Sequence, residues 1–269
     1  MKFPYFLLLA LVLETGACQI ATAGEAYFCP PCNSSCDEKV FARAGKCDHC
    51  GMELELQSFE EREALKKERR TVAFYLQDGV EVLDFAGPME VFAYAGYEVF
   101  TVSKKKEPIV SQGILTILPD YSIEDAPEAD IMAFFGGNSS RASGDPEVIE
   151  WVRSRIDATE LFFSVCTGAF IMGEAGLLDG QTVTTFHDAI EGLRKSFPKA
   201  KVLDDVRFVD NGDVITTAGI SAGIDGAIHL VERLEGKRTA KRVIEYMEYD
   251  NWVAGQGLVL SDPSLSEKD

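Results

Sequence analysis

LFFSVCTGAF, residues 161–170, is the stretch on which the fold turns. Its apolar run from Leu161 to Val165 stops at Cys166 and passes through Thr167-Gly168 into a helix-like segment reaching Glu174. An unbroken run of that length reads as a strand covered on both faces, and burial on both faces belongs to parallel sheets. DIMAFFGG, residues 130–137, has the same character and is closed by Gly136 and Gly137. Between these two central strands, Asp145-Pro146 opens a helical stretch through Arg155, with Asp145 suited to the cap and Pro146 to the first turn. TVAFYL from Thr71, YEVFTVS from Tyr97, QTVTTF and VITTAG supply further strands, and Ser221 to Leu234 and Thr239 to Met247 read as closing helices. The expectation is an α/β domain with a mainly parallel sheet.

Cys166 falls where a buried strand gives way to a tight turn and a helix. That is the logic of a nucleophile elbow, which holds a side chain above the sheet edge and favours a thiolate at the helix start. The amides of Thr167 and Gly168, with Gly136 or Gly137 from the neighbouring strand end, would stabilise an anion developing beside the sulfur. A buried structural cysteine reads the same way locally. Asp84 lies among Val82, Leu83, Phe85 and Ala86 just before Gly87-Pro88. A carboxylate so placed is either a helix cap or a group of raised pKa suited to proton transfer. His187 follows a strand closely and is a candidate for the sheet edge; His229 reads as a packed or surface residue of a helix.

Working outward, the chain has 269 residues, 44 acidic against 26 basic, and a formal charge of -18, which repels phosphate backbones and anionic lipid headgroups. Nucleic acid is therefore not an expected partner. Lys2 and the apolar run from Phe3 to Leu13 have the length of a signal-peptide core and are too short to span a bilayer, so residues 1–23 are read as an export signal and the protein as periplasmic or of the cell envelope. Ala21-Thr22-Ala23 fits a cleavage site before Gly24. Thr15-Gly16-Ala17-Cys18 resembles a lipobox, which leaves a lipid anchor open.

Five of the seven cysteines fall between Cys29 and Cys50, in residues 24–56, which are too poor in aliphatic residues to build a core without a staple. Cys29-Pro-Pro-Cys32 and Cys47-Asp-His-Cys50 form two C-x2-C knuckles, separated by fourteen residues, with the donors for a structural zinc held by four thiolates. Cys36 is a fifth thiol that would substitute for one of them. Disulfide pairing is the alternative for an exported chain. The ending Cys50-Gly51-Met52 resembles small heavy-metal-binding domains. Residues 57–70, QSFEEREALKKERR, read as a solvated linker helix or a frayed charged tether, and residues 255–269 as a tail, disordered and acidic from Ser261.

Three motifs in order carry a wider resemblance: Val72 to Tyr94, SVCTGAFIMGEAGLLDGQTVTT, and TAGISAGIDGAIHLVERLEG followed by MEYDNW. Over about residues 71–254 the chain resembles the ThiJ/PfpI superfamily, a class I glutamine-amidotransferase-like group. It is similar to the isonitrile hydratase branch and to the amino-terminal domains of AraC-type regulators. The resemblance implies a flavodoxin-like three-layer sandwich, Cys166 as nucleophile, Asp84 as its acidic partner, Thr167 as a site residue and a homodimer. It further implies attack on the carbon of an isonitrile, protonation assisted by Asp84, and hydrolysis of the thioimidate to an N-substituted formamide, with no cofactor required by this domain. The PfpI proteases carry histidine after the cysteine, so Thr167 counts against a peptidase. Relatives place histidine directly after the paired threonines, where this chain has Phe186 and then His187, which counts against a Cys–His dyad. The regulators continue into a helix-turn-helix domain whereas this chain ends soon after Trp252, so a DNA-binding regulator is not expected. A binding or sensing protein, using Cys166 and the cysteine-rich module without turnover, is the rival expectation.

Overall fold

A computed structural model describes residues 24–31, 35–67 and 69–260. The expected export signal, Cys18, Cys32 and the tail from Ser261 lie outside the described residues. No helix among the described residues is long and apolar enough to cross a membrane.

The cysteine-rich segment forms a three-stranded antiparallel sheet of β1 (Glu25–Phe28), β2 (Val40–Phe41) and β3 (Glu55–Ser58), in the order β2-β1-β3. Helix α1 (Phe59–Lys67) starts at a reciprocal capping box. Glu61 N–H donates to Ser58 Oγ at 3.1 Å, and Ser58 N–H donates to Glu61 Oε2 at 2.8 Å. The helix is solvated as expected at Phe59, Glu60, Glu61, Glu63 and Ala64, with one anchor: Arg62 is 2% exposed, lies 5.5 Å over the Phe28 ring and donates to the Asp37 carbonyl at 3.0 Å.

The chain then enters β4 (Thr71–Tyr75), α2 (Val82–Ala95), β5 (Glu98–Ser103), a hairpin of β6 (Ile109–Ser111) and β7 (Leu115–Ile117), β8 (Tyr121–Ser122) and β9 (Ile131–Phe134). It continues through α3 (Ser140–Ser143), α4 (Pro146–Ser154), β10 (Leu161–Val165) and α5 (Ala169–Ala175). A two-stranded pair follows, β11 (Thr182–Val183) and β12 (Lys201–Val202), with α6 (Ile190–Ser196) between them. The last elements are β13 (Phe208–Asp210), β14 (Val214–Thr217), α7 (Ala222–Glu235), α8 (Lys237–Tyr246) and β15 (Leu258–Val259). Asp145 does cap α4, accepting from Glu147 N–H at 3.1 Å.

The eight-stranded main sheet runs β15-β13-β14-β10-β9-β4-β5-β8. All its pairings are parallel except β13 with β14. Strands β9 and β10 are buried at every position. Their alternate residues feed two cores: Ile131, Ala133, Leu161 and Phe163 face α2, α7 and α8, whereas Met132, Phe134 and Phe162 face α4, α5 and α6. The three-layer α/β/α sandwich and its flavodoxin-like, mainly parallel sheet are therefore present.

QTVTTF does hold a strand, β11, which pairs with β12 outside the main sheet, while its threonines reach sideways: Thr184 N–H donates to Thr216 Oγ1 at 2.9 Å and Thr185 Oγ1 to the Cys166 carbonyl at 2.7 Å. One expectation is corrected. The tail does not begin at residue 255, since Leu258–Val259 pairs with β13 and Leu260 N–H bonds the Asp210 carbonyl at 2.7 Å.

The order of strand addition reverses at β4, whose successors β5 and β8 extend the sheet one way while β9, β10 and β14 extend it the other. In open α/β sheets the carboxyl ends of strands beside such a reversal form the ligand crevice. Asp84, Gly136 and Cys166 all follow strands at this end.

Candidate active site

Cys166 is the first residue beyond β10 and has φ 58, the left-handed region that costs a non-glycine residue strain. Its peptide is clamped on both sides, with Cys166 N–H donating to the Ala218 carbonyl at 3.1 Å and Thr185 Oγ1 donating to the Cys166 carbonyl. A tight 3-10 turn over Cys166–Gly168 leads into α5, so the sequence-read elbow is formed. Gly168 makes the turn fit, because a Cβ there would lie 2.3 Å from the Phe134 carbonyl oxygen. Gly168→Ala is expected to destabilise the domain by at least about 1–3 kcal/mol, the usual cost of overpacking, as read by urea unfolding.

Asp84 sits in the first turn of α2 and is fully buried. It does not cap its own helix. Its Oδ2 accepts from Gly136 N–H at 2.8 Å and its Oδ1 from Ile220 N–H at 3.1 Å, so the carboxyl joins the loops after β9 and β14. Cys166 Sγ and Asp84 Oδ2 approach one point: a Cβ on Gly136 would lie 2.7 Å from the sulfur and 2.8 Å from the carboxyl oxygen. Burial, reinforced by the Glu81 charge, pushes the Asp84 carboxyl up to about 6 against the opposing pull of the two amides. Burial and the Asp84 charge likewise push the Cys166 thiol up to about 12, opposed by the Thr167 and Gly137 amides. At neutral pH the pair is thus a thiol beside a carboxylate, with the carboxylate positioned to take its proton.

The other expected residues divide. Thr167 and Gly137 lie at the sulfur through their backbones, and Thr167 Oγ1 accepts from Ser139 Oγ at 2.9 Å. Gly136 was expected as an anion donor, but its N–H is engaged by Asp84, and it instead gives the sulfur and carboxyl room to meet. Gly168 contributes close packing against β9. His187 points away, its side chain 73% exposed beside Asp188, while the Phe186 ring lies against Gly219. His229 is a packed helix residue, bonded to buried Asp210 at 2.7 Å.

Two contributors escape sequence reasoning. Gln77 is buried and donates to the carbonyls of Phe135 and Gly136, both at 3.0 Å, which fixes the peptide whose N–H meets Asp84. Ile220 offers its amide from φ 54, and its only trace in the sequence is the glycine before it.

The second cluster is in the cysteine-rich module. Cys29, Cys36, Cys47 and Cys50 place their sulfurs within 4.8 Å of one another, with Cys29 and Cys50 at 3.2 Å. A tetrahedral four-thiolate zinc has Zn–S bonds of about 2.3 Å and hence sulfurs about 3.8 Å apart, so the donor set and its size fit a soft divalent metal. Burial and the neighbouring Cys50 thiol push the Cys29 thiol up. Cys36, the substitute ligand of the sequence reading, joins the cluster because the 3-10 turn Ser35–Glu38 carries it inward to full burial, whereas Cys32 lies outside the described residues.

The DJ-1/PfpI family description matches residues 70–233. Isonitrile hydratase of Pseudomonas putida is 34% identical over 180 residues, covering 66% of this chain and 78% of that enzyme. The HTH-type transcriptional regulator CdhR of Pseudomonas aeruginosa is 26% identical over 178 residues, and the match spans 53% of its length. Among solved structures, a ThiJ/PfpI family protein from Pseudomonas syringae superposes with TM-score 0.64 at 26% identity, covering 69% of this chain and 77% of that one. Drosophila melanogaster DJ-1beta shares the fold, with TM-score 0.60 at 22% identity over 67% of this chain and 98% of its own.

Proposed function

Since the chain belongs to the DJ-1/PfpI family, we propose that it is a cysteine-dependent hydratase of a small carbon electrophile, of which an isonitrile is the best-supported class. The observation that carries this reading is the convergence of Cys166 Sγ and Asp84 Oδ2 on Gly136. A thiol whose proton has a buried carboxylate to go to can add across a carbon that needs both a nucleophile and a proton.

The chemistry balances without an external redox partner. Asp84 takes the thiol proton and delivers it to the isonitrile carbon as the sulfur bonds to that carbon, giving a thioimidate on Cys166. Water then adds to the same carbon. Collapse releases an N-substituted formamide and restores the thiol. The amides of Thr167 and Gly137 stabilise negative charge on sulfur at both ends of the cycle. The rival reading, a sensor whose Cys166 is oxidised without turnover, calls for a resting thiolate, which burial and the Asp84 charge oppose.

The four-cysteine cluster is assigned a structural zinc, held by Cys29, Cys36, Cys47 and Cys50; when bound, it cross-links a module too small to hold itself together. Export by residues 1–23 belongs to the same proposal and accords with a fused metal ribbon and a charge of -18.

The test is formamide production from a panel of isonitriles by the purified protein. Because Asp84 must be ionised to accept the proton, and sits near 6, kcat/KM is expected to rise with pH through about 6 and stay level above it. A rate that falls as Asp84 ionises would show that the carboxyl acts in its neutral form and would reverse the assigned order of proton transfer.

A further inference from the structure

The cysteine cluster and the catalytic domain share packing. Tyr94, in the last turn of α2, and Tyr246, at the end of α8, both pack on the cluster formed by Cys29, Cys36, Cys47 and Met52. Their rings lie 4.1 Å apart. Pro31 presses on the carboxyl end of α2, where the cap residue Gly96 is left-handed and a Cβ on it would come within 2.7 Å of Pro31 Cβ. The turn that carries Cys36 is tied a second way. Its next residue, Asp37, pairs with Arg69 at 3.2 Å, with both side chains largely buried, and offers its carbonyl to Arg62. The contacts of Tyr94 and Pro31 end on the helix whose other end holds Asp84, while those of Asp37 tie the Cys36 turn to α1 and to the approach to β4.

That helix has a weak point beside the site. Pro88 has no N–H to give the Asp84 carbonyl, so the first turn of α2 relies on its surroundings. Those surroundings are α7, against which Gly87 and Pro88 pack through Ile224 and Gly223, and whose approach residue Ile220 supplies an amide to Asp84. Beyond the buried β1 residues Ala26, Tyr27 and Phe28, the part of the module that grips Tyr94 is built on three cysteines and Met52, so without a metal that grip is lost.

We propose that the cysteine-rich module is a metal-operated clamp on the carboxyl ends of α2 and α8, and that occupancy of the four thiols sets the order of α2 and so the reactivity of Cys166. The regulatory consequence rests on the reading of Cys166 and Asp84 given above, while the clamp itself is a statement about packing alone.

The experiment is hydrogen–deuterium exchange on the full chain, loaded with zinc and after chelation, together with the rate of Cys166 alkylation by iodoacetamide. Chelation is expected to speed exchange in residues 89–96 and 240–247 by about tenfold or more and to change the alkylation rate severalfold, while α4 and α5 stay protected. Tyr94→Ala with Tyr246→Ala keeps all four ligands, and in it α2 is expected to exchange quickly whether or not metal is bound. Tyr246→Ala alone serves if the double variant does not fold, with the response of α2 to zinc reduced. The clamp is overturned if chelation opens residues 25–58 and leaves α2 and α8 unchanged, or if α4 and α5 open to the same degree, which would be general unfolding. Neither readout needs turnover, so an inactive protein with a metal-responsive α2 would sink the hydratase reading and leave the clamp standing.

Discussion

Cys166→Ser is expected to abolish formamide production, by on the order of 10⁴-fold or more, the scale seen when a covalent nucleophile is removed, while far-UV circular dichroism and the unfolding midpoint stay close to those of the parent. Serine fits the space and inherits the same φ of 58, so the elbow and its clamps from Ala218 and Thr185 remain. What is lost is sulfur. A hydroxyl is far harder to deprotonate and a weaker nucleophile toward a soft carbon, and Asp84, near 6, is too weak a base to compensate. Asp84→Asn should also be severe, by roughly 10²–10⁴-fold, because the amide can neither take nor return the proton. It also presents an NH2 group to one of the two backbone N–H donors, Gly136 or Ile220, that now meet carboxyl oxygens. Turnover that survived Cys166→Ser would remove the covalent route altogether. Loss in Cys166→Ser but not in Asp84→Asn would leave the nucleophile in place and require another proton carrier.

The parts of this site that could be read from sequence are those that local pattern dictates. LFFSVCTG announces a strand, a turn and a reactive position in one line, because burial on both faces removes alternation and only small residues follow the cysteine. Asp84 is conspicuous for the opposite reason, as a charge among apolar neighbours. What could not be read is pairing between distant loops. Nothing near Asp84 says that its oxygens will meet the amides of residues 136 and 220, and those amides belong to backbone that carries no side-chain signature. His187 illustrates the same limit, since one position decides whether a ring faces the sheet edge or water, and Phe186 takes the inner one. The solvated reading of residues 57–70 misses Arg62, whose charge suggests the surface although its Nη2 bonds the Asp37 carbonyl and its guanidinium lies over the Phe28 ring. Ser58 to Glu61 was a legible start signal there, while the strand at Leu258–Val259 was not, being two residues long and held by β13.

The identity of the fourth metal ligand is a choice between Cys32 and Cys36 that substitution can decide. Spacing favours Cys32, as half of a C-x2-C knuckle; among the described residues the fold brings Cys36 to the cluster, fully buried and within 4.8 Å of the other three sulfurs. Cys36→Ser is therefore expected to cost zinc affinity well beyond the ten- to hundredfold that loss of an outer-shell partner brings, whereas Cys32→Ser should still bind one zinc per chain. Cobalt substitution gives the check, because sulfur-to-cobalt absorption scales with the number of thiolates: Cys32→Ser should keep the intensity of four, and Cys36→Ser should not. Stability should follow metal, since binding energy in a module with this little core is folding energy, so the Cys36→Ser module is expected to become protease-sensitive between residues 24 and 58. The reverse pattern, with Cys32→Ser losing the metal and Cys36→Ser retaining it, would restore the knuckle. It would also free the turn at Ser35–Glu38 from the metal, leaving it held by packing on Tyr94 and Tyr246 and by Asp37 with Arg62 and Arg69.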